Sequence, residues 1–169
     1  MAATNSKVAE ELNRLHGAQP RALGGVGTVR FTVEVDGDPS EVFRRARQVL
    51  TVIDEHALSG WPGLEEWRRR LPAWFVAACA PEMSQDEQDA WLAQWRSLND
   101  EDRAAMDAAQ PWSLDNWLYW MEPENRQWWW WSATVNPPTL AAEVEGWPFP
   151  WGALSWLLQA AGATAVRSD

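Results

Sequence analysis

The hydrophobic pattern of this chain changes period several times, and each change marks an element. In SKVAEELNRLHG, Val8, Leu12 and Leu15 fall at i, i+4 and i+7, which predicts an amphipathic helix; Ser6 offers a cap and Gly17 a stop. A looser stretch, AQPRALGGVG, leads into TVRFTVEV. There Val29, Phe31, Val33 and Val35 alternate with Thr28, Arg30, Thr32 and Glu34, which predicts a strand with one dry and one wet face.

DGDPSEVFRRARQVLTVIDEHAL returns to helical spacing. Val42, Ala46, Val49 and Ile53 form its stripe, widened by Phe43 and Leu50. Asp38 stands at the cap, Pro39 at the first helical position, and Glu41 is placed to reach back to the cap N–H. After Gly60 and Pro62-Gly63, a helical spacing of Leu64, Trp67, Leu71 and Trp74 runs through Pro72, so a kink or two short helices are expected there.

SQDEQDAWLAQWRSL opens on a capping box, Ser84 to Glu87, and offers Trp91, Trp95 and Leu98 for burial. A short, weakly apolar helix over NDEDRAAMDAAQ follows. Beyond Pro111, Leu114, Trp117 and Met121 share a stripe.

The period then falls back to two. RQWWWWSATVN and TLAAEVE flank Asn136-Pro137-Pro138, which reads as a hairpin. WGALSWLLQAAG forms a closing helix ended by Gly162. The expected fold class is α+β: a small antiparallel sheet of about three strands, including a C-terminal hairpin, with helices packed mainly on one face. No linker divides the chain, so residues 1–169 read as a single globular domain, with 1–27 as a peripheral helix plus loop.

Strict alternation sorts the four consecutive tryptophans. Trp129 and Trp131 share a face with Ala133 and Val135, matching the dry faces of TVRFTVEV and of Leu140, Ala142 and Val144. Trp128 and Trp130 then fall with Ser132, Thr134, Arg30, Glu143 and Glu145 on the wet face. Two exposed indoles forgo several kcal/mol of burial, roughly 25 cal/mol per Å² of apolar surface. A cover is therefore expected: the first helix or the GGVG segment folding over that face, Arg30 stacking on an indole, or a protein partner or second protomer docking there. A stacking small molecule is the alternative. A core this rich in tryptophan should also hold many indole-to-carbonyl hydrogen bonds.

Charge narrows the function classes. The 169 residues carry 24 acidic against 14 basic side chains, a net charge of −10. That balance argues against a general nucleic-acid binder and against anchoring to anionic lipid. The N-terminus lacks the apolar core of a signal peptide, and the apolar runs are too short to cross a bilayer. A single cysteine, Cys79, suits a reducing compartment, so a soluble cytoplasmic protein is expected.

Glu82, Asp86, Glu87, Asp89, Asp100, Glu101, Asp102 and Asp107 crowd one segment, countered there by Arg96 and Arg103. This is a solvated helical face or an acidic patch that docks a basic protein. Catalytic and metal chemistry are weakly represented. Asp36-Gly-Asp38-Pro-Ser40-Glu41 begins like a calcium loop but has Glu41 where glycine is required and Arg47 where a glutamate is required. His56 ends a helix, an ordinary place for histidine, and Cys79 lies among alanines. No metal or cofactor is expected. The leading expectation is a non-enzymatic interaction protein, in one version an acidic inhibitor or immunity-type protein for a basic partner. The alternative is a small-molecule binder or enzyme with a Trp-lined pocket using Trp128, Trp130, Glu143, Glu145 or His56.

Overall fold

Antiparallel pairing joins segments from the beginning and the end of the chain into one four-stranded sheet, and most of the helices pack against one of its faces. The structure is a computed structural model and describes residues 2–20 and 27–169. Arg21 to Val26, which include most of the GGVG segment, lie outside the described residues.

The elements run α1 (Ala2–Leu15), β1 (Gly27–Glu34), α2 (Pro39–Ala57), α3 (Leu64–Arg70), α4 (Ala73–Ala78), α5 (Gln85–Ser97), α6 (Asp100–Ala109), α7 (Leu114–Met121), β2 (Trp128–Val135), β3 (Pro138–Val144), α8 (Gly152–Ala160) and β4 (Ala165–Ser168). The strand order is β2-β3-β1-β4, every neighbouring pair antiparallel. The α+β class holds. The sheet has a fourth strand that the pattern did not predict. After Gly162, at φ 122, the chain turns back and AVRS pairs with Phe31–Glu34 of β1.

Local rules explain most boundaries. Asp38 caps α2 by accepting from Ser40 N–H, but Glu41 does not complete the expected box. Its carboxylate instead takes the Arg44 and Arg45 guanidiniums, which hold it well below the ordinary range, at about 2. The Ser84–Glu87 capping box of α5 is present as expected. The helical run through Pro72 splits into α3 and α4. Ser6 is no cap, because α1 already begins at Ala2.

The core lies on the sheet face made by Val29, Phe31, Val33, Leu140, Ala142 and Val144. Against it pack Ala46, Val49, Leu50 and Ile53 of α2, Trp67, Phe75, Trp117 and Met121 from the middle helices, and Leu154, Leu157 and Leu158 of α8. Each fully buried indole removes roughly 150–250 Å² from water, about 4–6 kcal/mol at 25 cal/mol per Å². The expected indole hydrogen bonds form only in part. Trp117 Nε1 donates to Ala153 C=O at 3.0 Å, whereas Trp67, Trp95, Trp129 and Trp156 have no partner among the described residues.

Candidate functional site

The tryptophan strand carries the largest correction to the sequence pattern. β2 pairs with β3 in the register Trp128↔Val144, Trp129↔Glu143 and Trp130↔Ala142, then resumes at Ser132↔Ala141. Trp131 is the extra residue of a β-bulge. A bulge shifts the parity of everything before it. Trp128 and Trp130 therefore face the core with Val144 and Ala142, 1% and 3% exposed. Trp130 meets Phe43 of α2 edge to face at 6.2 Å. Trp129 points to the opposite side with Glu143, and Trp131 is half-buried. The pair expected on the wet face is in the core; of the pair expected in the core, Trp129 is fully buried but on the opposite side of the sheet, and Trp131 is half-buried.

β2 is also an edge strand, whose outward N–H and C=O groups need partners. Side chains supply them. Trp130 N–H donates to Glu11 Oε1, and Trp130 C=O accepts from Arg14 Nε at 2.7 Å. Trp128 C=O accepts from Arg126 Nε at 2.9 Å. The expectation that the first helix lies over the outer sheet face is thus modified. α1 packs on α2 and along the outer edge of β2. Its buried stripe is not Val8, Leu12 and Leu15 but Val8, Glu11 and Leu15, with Leu12 half-buried.

Around that edge lies a buried ionic cluster. Arg126 donates to Glu11 Oε1 at 2.7 Å and to Asp54 Oδ1 at 3.2 Å. Glu11 and Asp54 are fully buried and Arg126 is nearly so. One guanidinium thus faces two carboxyls, and the second oxygens, Glu11 Oε2 and Asp54 Oδ2, have no partner among the described residues. Burial, and then the neighbouring Glu11 carboxyl, push Asp54 up to about 9 against the pull of Arg126. The same guanidinium lies 4.4 Å from the Trp128 ring and 4.6 Å from that of Trp129. Arg14 covers the Trp131 ring at 5.1 Å and donates to Glu143 at 3.3 Å.

Sequence patterning missed Glu11, Arg14, Asp54 and Arg126 as a group. The available signal was a charge on an apolar stripe. Glu11 stands three residues after Val8 and four before Leu15, and Asp54 stands four after Leu50.

The remaining members of the expected sheet-face site are dispersed. Glu143 is buried beside Arg14, and Glu145 is exposed and paired with Lys7. Arg30 is exposed on the outer face and stacks on no indole among the described residues. It lines a shallow depression of about 240 Å³ with Ser132, Thr134, Asn136 and Thr139, in which it is the sole titratable side chain.

The acidic segment has a distinct geometry. Ala80 N–H donates to Trp112 C=O at 2.8 Å, and Ala80 bridges Ser113, so the chain leaves and rejoins the body at one point. Between these ends, α5 and α6 contain no buried residue, and the element that each contacts most is the other. Trp91, Trp95 and Leu98, expected in the core, are half-buried outside it. The two indoles stack at 6.4 Å, and Arg103 lies 4.8 Å from the Trp95 ring.

No family model matches the chain, and comparison with curated proteins and with solved structures yields no match either.

Much of the acidic patch serves the helices themselves. Glu87 completes a capping box, Asp102 N–H donates to the Asn99 cap, Asp100 meets Arg103, and Glu82 pairs with Arg68. Asp86, Asp89, Glu101 and Asp107 are exposed and have no ion pair among the described residues.

His56 and Cys79 stand apart from these features. His56 Nδ1 bonds Val52 C=O at 2.7 Å, its Nε2 faces Arg70 at 2.5 Å, and its ring meets Trp67 edge to face. These contacts tie the end of α2 to α3. Burial pushes the Cys79 thiol up to about 11, which leaves it protonated and a poor nucleophile at neutral pH. No three His, Cys, Asp or Glu side chains among the described residues are grouped to hold a metal ion. No helix among them is long and apolar enough to cross a membrane.

Proposed function

We propose that this protein is a protein-binding domain that engages a basic partner through the α5–α6 helical hairpin. The observation that carries this reading is the hairpin's composition against its packing. Residues 82–107 hold eight carboxylates and two arginines, together with Trp91, Trp95 and the exposed Leu92, yet no side chain of either helix is fully buried. Aromatic and leucine side chains left half-exposed among like charges forgo burial within the chain. A partner that covers them recovers it, and the surrounding carboxylates select a basic one and speed its approach.

An acidic inhibitor or immunity-type protein that masks a basic protein is the concrete form of this proposal. The sheet-face depression is a poorer support for a small-molecule site, being smaller than the 300–1,000 Å³ typical of ligand pockets.

The test is a paired affinity purification from the source cells. The bait is either the wild-type chain or one carrying Asp86→Asn, Asp89→Asn, Glu101→Gln and Asp107→Asn. The expected result is a basic protein held by the wild type at low salt, released as salt rises, and absent with the variant. Identical retention by both baits would sink the proposal. So would a captured partner that still binds after Trp91→Ala and Trp95→Ala.

A further inference from the structure

The two orphan oxygens beside Arg126 point to a missing proton. Glu11 and Asp54 each spend one carboxyl oxygen on the same Arg126 guanidinium, and the second oxygen of each has no partner among the described residues. Two ionised carboxylates would leave Glu11 Oε2 and Asp54 Oδ2 unpaired, and one negative charge uncompensated, where neither residue has any solvent exposure. A single proton held by the pair removes the uncompensated charge and balances the remaining carboxylate against the guanidinium.

We propose that Glu11 and Asp54 share one proton, and that this proton latches α1 onto the edge of β2, so that its loss releases the helix while the rest of the fold persists.

The stoichiometry couples the proton to the helix. With α1 seated, Arg126 faces two carboxyls. With α1 released, Glu11 leaves and Asp54 keeps Arg126 as a one-to-one pair that requires no proton. The other charged groups facing α1 do not alter this count. Arg14 of α1 meets Glu143 of β3, Lys7 of α1 meets Glu145, and Arg47 of α2 donates to Leu15 C=O at the helix end. The apolar hold on α1 is slender, since Val8 and Leu15 are its only fully buried apolar residues among those described. Release uncovers the Trp130 N–H and C=O that Glu11 and Arg14 occupy.

Hydrogen exchange between pH 6 and pH 9, corrected for intrinsic rates, reads the latch directly. For a one-proton opening, the protection of the Trp130 amide and of the α1 amides falls about tenfold per pH unit. Amides of α2 and α8, whose opening requires global unfolding, share that slope but stay better protected than those of α1 at every pH. Asp54→Asn flattens the α1 and Trp130 profile, and Glu11→Gln does the same, so either variant decides the matter if the other fails to fold. Three results each overturn the proposal. One is α1 protection no lower than that of α2 and α8, which would mean that the helix leaves only when the whole fold opens. Another is a pH-independent profile in the wild type. The third is a tenfold slope that survives in the folded variant.

Discussion

The α1–β2 edge and the α5–α6 hairpin break the same rule in opposite directions. At the first, charged side chains occupy core positions: Glu11 sits on the buried stripe of α1, and Asp54 ends that of α2. At the second, aromatic side chains sit in a segment with no buried residue at all. The difference lies in what each region has to satisfy. The β2 edge presents backbone N–H and C=O groups in a water-poor place, and only polar side chains can meet them. The hairpin leaves and rejoins the body at the Ala80–Ser113 bridge, beside the Glu82–Arg68 ion pair, so beyond that root its helices are held by caps, alanine-rich propensity and each other. One region needs polarity to be stable. The other is stable without covering its apolar stripe, which leaves that stripe available.

Removing the keystone of the buried side tests the first half most severely. Arg126→Met leaves Glu11 and Asp54 facing each other without a counter-charge and leaves Trp128 C=O unpaired. A loss of about 3–5 kcal/mol is expected from urea unfolding, since breaking a buried pair strands its partners. A loss under about 1 kcal/mol would show that the cluster is wetter than its burial indicates.

The pH profile is the next largest effect. The folded state holds Asp54 at about 9, above its unfolded value, so folding takes up a proton that the unfolded chain lacks in between. The associated stability is fully present below about pH 4 and is lost as pH rises through about 9. Between pH 7 and pH 9 the loss amounts to at most about 2–3 kcal/mol, at 1.36 kcal/mol per unit. Urea midpoints across that window measure it, and Asp54→Asn should remove most of the slope. A wild-type midpoint that rises with pH would contradict the sign.

These residues also show where the sequence is legible. β1 announces itself because Val29, Phe31 and Val33 alternate with polar residues, and α2 because its stripe and cap agree. β2 does not, because four identical residues carry no alternation of their own. Its parity could be borrowed only from Ser132–Val135, and the bulge at Trp131 reverses that parity for every ring before it. Hydrophobic periodicity likewise passes over Glu11 and Asp54. Their burial depends on Arg126, 115 and 72 positions away, and no local window contains that pairing. β4 is only four residues long and falls after a helix already ended by Gly162, so it offers little pattern to read.

On the hairpin side the expected effects are smaller and local. Trp91→Ala with Trp95→Ala removes a stacked pair that is half-buried outside the core. The global urea midpoint should move by less than about 1 kcal/mol, far below the 3–5 kcal/mol of a fully buried tryptophan. A larger shift would place these rings in the cooperative core and undo the contrast with the β2 edge.

The finest distinction comes from Ser84. Its hydroxyl accepts from Glu87 N–H and the Glu87 carboxylate accepts from Ser84 N–H, so Ser84→Ala opens the box that starts α5. Losing such a cap costs a helix about 1 kcal/mol. In a helix built into the core, that loss would appear in global unfolding. Here the body does not lean on α5, so the global midpoint should stay put while α5 amides lose about fivefold in exchange protection. A midpoint shift of the full 1 kcal/mol would mean that the hairpin unfolds together with the sheet, and that its aromatic stripe is held by the body more firmly than its exposure implies.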